Sequence, residues 1–208
     1  MAQTRQNIRI ISAAHLAEIL NLIFDPVYLQ NTDVIYRCYF WLAFMRVPFE
    51  QIISIRSSCA DLRKMTLTVG DGVYPIHGES AEAFYAAANA KGFIKHRPDM
   101  PGRDITVPRN DEMLLSLSRA ETTPGSLAAA LSQRLKRSDI MLTYSYVQKE
   151  AFYCEVLELD RRGKKAWSDS IEEYVTEHAV NNSGDWYIDE RLRKEMREYF
   201  RWRSETGL

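Results

Sequence analysis

Cysteine is scarce in this chain, and what there is excludes more than it offers. Cys38, Cys59 and Cys154 lie far apart and none belongs to a CxxC pair, which is the usage of reduced thiols and not of a disulfide framework or a zinc site. Histidine is as sparse: His15, His77 and His96 stand in no HExxH or comparable spacing, so no metal is expected. No apolar run approaches the roughly 18 residues that cross a bilayer, and no basic segment followed by an apolar signal core opens the chain. A cytoplasmic protein with no membrane partner is the expectation. The sequence also has no phosphate loop, no dinucleotide fingerprint and no Gly-x-Ser-x-Gly turn, so no cofactor is expected and a hydrolase has little support. Excess charge of one sign is absent too: 27 Lys and Arg face 28 Asp and Glu, for a net charge of −1. Phosphate neutralisation supplies most non-specific DNA affinity, so any DNA binding must rest on a local basic face.

What is present is enough to fold. The 208 residues are 46% hydrophobic and 26% charged, able to bury the core of one large or two small domains. Leu16, Ile19, Leu20, Ile23 and Phe24 recur at helical spacing, with Ser12 placed to cap the helix and Pro26 beyond its end. A second helix starts at Asn31 or Thr32 and reaches Met45 before Pro48; it is apolar nearly all round and should lie in the core. From Leu62 to Val69 apolar and polar residues alternate, and Gly70-Asp71-Gly72 then signals a hairpin into Val73–Ile76. The alanine-rich run Glu79–Ala90 predicts a helix closed by Gly92. Residues 95–110, with four prolines and glycines and little periodicity, read as an exposed connection and as the one plausible subdomain boundary. Thr122 or Thr123 with Pro124 opens another helix. Further helices are predicted over Thr143–Asp160, 168–180 and 189–203, with no internal repeat. The expected fold is mainly α with a small antiparallel β-sheet, an α+β class in a single domain over 1–208.

One order of elements stands out: an apolar helix ending in Trp41–Glu50, a hairpin at Gly70-Asp71-Gly72, the strand Tyr74-Pro75-Ile76, and a new helix from Glu79. It resembles the opening of the catalytic domain of tyrosine recombinases, above all phage integrases, and the resemblance extends over most of residues 12–200. The stretches Leu142–Val147 and Phe152–Glu155 look like a divergent branch from phages of Gram-positive bacteria. That family places an arginine in a Gly-Leu-Arg-x-x-Glu segment; alignment on Glu50 puts Val47 there and Arg46 one residue away, about 100° around a helix. It places a lysine at the hairpin tip, where this chain has Asp71. Its His-x-Leu-Arg-His box falls on Tyr146, Lys149 and Glu150. It ends with a histidine nine residues before the nucleophilic tyrosine, the interval between His178 and Tyr187.

These matches imply a degenerate site. Tyrosine attack on a phosphodiester builds negative charge that several cations must hold, and most of them are replaced. The resemblance thus implies an integrase-like DNA-binding or accessory protein of a phage or mobile element, without the separate core-binding domain of the family and with little or no strand transfer. If catalysis survives, Tyr187, His178, Lys149 and Arg46 would carry it. The basic run Arg161-Arg162-Gly163-Lys164-Lys165, with Lys149, is the candidate contact to double-stranded DNA; it is also the pattern of a solvated helix end. The final helix, with Leu192, Met196, Tyr199, Phe200 and Trp202 among its arginines, is a candidate for docking or self-association. A protein-interaction module on the same scaffold is the third reading.

Overall fold

The computed structural model describes residues 8–24, 31–95, 104–136, 138, 140–161 (156–161 as backbone) and the single positions 198, 201 and 205. The chain divides into two compact units, Met1–Ala151 and Phe152–Leu208. The described elements are α-helices and small antiparallel sheets, an α+β arrangement.

Helix α1 (Ala13–Ile23) begins where the Ser12 hydroxyl accepts the His15 N–H at 3.1 Å, and it buries Leu16, Ile19, Leu20 and Ile23. Helix α2 (Asp33–Phe44) is the core of the first unit: all twelve residues are buried. Each large side chain it buries, such as Phe40 and Trp41 at 0% exposure, contributes about 2–3 kcal/mol of apolar transfer free energy. Its two charged residues are therefore costly unless paired. Asp33 takes Arg134 Nε at 2.9 Å and Nη2 at 2.8 Å, while Nη2 also donates to the Ile23 carbonyl at 2.7 Å. The same guanidinium lies 5.5 Å over the Phe24 ring. One arginine thus ties the end of α1 to the start of α2.

Helix α2 stops in a Schellman motif. Val47 N–H reaches back to the Leu42 carbonyl at 3.0 Å and Arg46 N–H to Ala43 at 2.9 Å, with Arg46 itself at φ +60. Glycine is the usual residue there because it has no Cβ to collide with the carbonyl that follows. Two 3₁₀ turns, Phe49–Ser54 and Ser57–Cys59, lead into a three-stranded sheet ordered β1 (Ala60–Asp61), β2 (Thr66–Val69), β3 (Gly72–Pro75). The hairpin at Gly70-Asp71 forms as the sequence predicts: Val69 pairs with Gly72, and Gly70 takes φ +56, the first position of a type II′ turn. Leu62–Met65 does not extend the strand as alternation suggests. It is a turn in which the Asp61 carboxylate caps the N–H groups of Lys64 and Arg63, at 3.1 and 3.0 Å, and Met65 adopts φ +53. These hydrogen bonds, the Lys64 N–H first, hold the Asp61 pKa below its ordinary value.

Helix α3 (Ala81–Asn89) packs on α2 and is followed by β4 (Gly92–Lys95) and β5 (Ile105–Pro108). Here two expectations are corrected. Residues 95–110 are not an open connection throughout, since Ile105–Pro108 is a strand. Gly92 is not a helix-ending glycine but the first residue of β4, where a Cβ would stand 2.7 Å from the Val107 carbonyl oxygen. Arg109, buried, then donates to the Ala87 carbonyl at 2.7 Å and to the Met113 and Leu114 carbonyls, fixing the loop after β5 against α3. Helix α4 (Pro124–Leu135) starts with a capping box between Thr123 and Ser126. Helix α5 (Tyr144–Arg161) is the last of the described elements.

Candidate functional site

Of the residues singled out by the resemblance, Tyr146, Lys149 and Glu150 lie on the first half of α5, where they have structural partners. At the end of α2, Val47 holds the position of the expected arginine. It is fully buried, and its carbonyl oxygen accepts the Tyr144 hydroxyl at 2.8 Å and Gln148 Nε2 at 2.9 Å. These two donors tie the turn after α2 to the first turns of α5. Tyr144 stacks edge-on against Tyr39 and Phe49, with centroids at 4.9 and 5.3 Å. Burial raises the Tyr144 pKa well above the phenol's ordinary value and pushes Tyr39 up to about 12. Both phenols stay protonated at neutral pH; Tyr144 donates to the Val47 carbonyl and both rings pack against aromatic neighbours.

Arg46, adjacent to Val47, is half-exposed and close enough to Tyr74 on β3 to counter, in part, the burial that raises that phenol's pKa. The Tyr74 ring lies over Gly72, where a Cβ would meet it at 2.9 Å. The hairpin tip that follows β2 carries an exposed acid, Asp71, and Gln51 of the first 3₁₀ turn approaches it: a Cβ on Gly70 would be 3.8 Å from Gln51 Oε1. This corner brings Arg46 beside Tyr74, with Asp71 at the turn.

The opposite face of α5 meets the start of the chain. Tyr146 and Glu150 follow Tyr144 and Gln148 by two residues each, about 200° around the helix. Tyr146 Oη donates to the Ile8 carbonyl at 3.0 Å. Glu150, at 0% exposure, accepts Ile10 N–H at 3.0 Å and Arg9 Nη1 at 3.1 Å. Burial raises the Glu150 pKa, while the Ile10 N–H and the Arg9 and Lys149 charges pull it back. Lys149 is half-buried with Nζ 5.9 Å over the Tyr146 ring, a geometry that attracts an ammonium. Tyr146 and Glu150, which the resemblance aligns with histidines, thus anchor the segment Ile8–Ile10. Arg46 lies near Tyr74 and Lys149 lies over the Tyr146 ring.

Arg161 closes α5, its side chain outside the described residues, as are Arg162, Lys164, Lys165, His178 and Tyr187. The predicted helices at 168–180 and 189–203 fall there too, apart from Glu198 and Arg201, which are helical and exposed, as is Glu205. Among the described residues there is no cluster of three or more metal-ligating side chains and no helix long and apolar enough to cross a membrane. His77 packs against Trp41 and Phe44, and burial lowers its pKa, so it is a neutral aromatic neighbour and not a poised acid. Sequence reasoning missed Arg9, Tyr144 and Gln148. Tyr144 and Gln148 could have been found from their i, i+4 spacing, but Arg9 is joined to Glu150 across 141 residues and leaves no local signal. No protein-family model, no curated protein and no solved structure matches this chain.

Proposed function

We propose that this chain is an integrase-like DNA-binding or accessory protein of a phage or mobile element, on a scaffold resembling the tyrosine-recombinase catalytic domain, with little or no strand-transfer activity. Support for the scaffold comes from the order of elements: a buried helix, a tight turn, a three-stranded antiparallel sheet with a glycine hairpin, then a helix. The single observation that carries the loss of activity is the use of Val47. It is fully buried at the position that alignment on Glu50 gives to a phosphate-gripping arginine, and a buried valine side chain offers no cation there. Asp71 adds an anion at the hairpin tip, and Glu150 a second anion in the helical box.

Transition-state charge on phosphorus is stabilised by donors aimed at it, and loss of one such donor costs on the order of 10² to 10³ in rate. Two missing arginines, a missing lysine and a missing histidine leave too little to drive cleavage. Binding needs less, because phosphate contacts only have to neutralise charge. Lys149 and the run Arg161–Lys165 are the cations assigned to it.

Gel-shift titration with a duplex at low and moderate salt tests the proposal. Salt-sensitive binding that is lost when Arg161, Arg162, Lys164 and Lys165 are reversed to glutamate is the expected result; no binding at low salt sinks it. A nicked suicide duplex is expected to trap no covalent adduct. An adduct that Tyr187→Phe abolishes would overturn the inactive reading in favour of a working recombinase.

A further inference from the structure

We draw no further inference here: the strongest candidate, the exposed apolar side chains of Ile94 and Ile105 at the surface of the two-stranded β4–β5 sheet, carries none because nothing in the structure shows what covers them.

Discussion

Arg46→Gly is expected to stabilise this protein although it deletes a charged side chain beside the candidate site. Arg46 sits at φ +60, the residue after the cap of α2, where two reverse hydrogen bonds, from Val47 to Leu42 and from Arg46 to Ala43, close the helix. An L-residue in that conformation costs roughly 1–2 kcal/mol because its Cβ crowds the following carbonyl. Glycine removes the crowding and costs about 0.4–1 kcal/mol through the extra freedom it gives the unfolded chain. The balance favours glycine by about 0.5–1 kcal/mol before the side chain is counted. Arg46 is half-exposed, and its electrostatic contact with Tyr74 is worth only a few tenths of a kcal/mol at such a surface.

Arg46→Ala separates the two effects. It loses the same side chain yet keeps the Cβ, so it should fall at or below wild type, while Arg46→Gly rises above both. In a chain of this size 1 kcal/mol shifts Tm by roughly 2–4 °C, so the pair should differ by a few degrees in a thermal melt followed by far-ultraviolet circular dichroism. If Arg46→Gly melts no higher than Arg46→Ala, strain at this turn is refuted as an energetic term. The side chain would then be holding the end of α2 by contacts stronger than the electrostatics indicate.

Three further outcomes follow from the packing. Asp33→Ala leaves Arg134 facing the interior without its carboxylate, and breaking such a pair costs about 3–5 kcal/mol when fully buried; with Arg134 29% exposed the low end is expected, read as a fall in the urea midpoint. Gly92→Ala drives a methyl to within 2.7 Å of the Val107 carbonyl oxygen and should cost about 1–3 kcal/mol, with loss of amide protection confined at first to Gly92–Lys95 and Ile105–Pro108. Burial pushes the Cys38 thiol far above its ordinary pKa, so Cys38 should react with a thiol reagent at neutral pH only as fast as the protein unfolds; rapid modification of Cys38 in the native state would contradict its place in the core.

The parts of this fold that local physics dictates were legible in the sequence. Ser12 and Thr123 cap the helices they precede, α2 is apolar on every face because every face is covered, and Gly70-Asp71 bends where a type II′ turn needs glycine first. Ile105–Pro108 was not legible because it is exposed on most of its length, so no alternation marks it, and its partner lies on the far side of the intervening residues. Gly92 misled for a related reason: a helix end and a close strand crossing both require a residue without Cβ, and only the 2.7 Å approach to Val107 separates them. Leu62–Met65 alternates like a strand, yet the Asp61 carboxylate offers its N–H groups a nearer acceptor than a neighbouring strand would.

The sequence put Tyr146, Lys149 and Glu150 on a helix but did not show what they contact. A site for phosphate chemistry needs donors left pointing at empty space, ready for a charge that arrives later. On the first half of α5 the donors already have acceptors: Tyr144 and Gln148 on Val47, Tyr146 on Ile8. The one carboxylate there, Glu150, is turned to a backbone N–H and a guanidinium. Reverting single residues toward the family pattern should therefore not restore chemistry. Val47→Arg would put a long cation into a position with no exposed surface, and leaving an unpaired buried charge costs several kcal/mol. The expected product is a destabilised protein, detectable as a lower Tm with no gain of covalent adduct on a nicked duplex. A stable Val47→Arg variant that acquires cleavage would mean that the buried turn at the end of α2 yields more readily than its hydrogen bonds indicate.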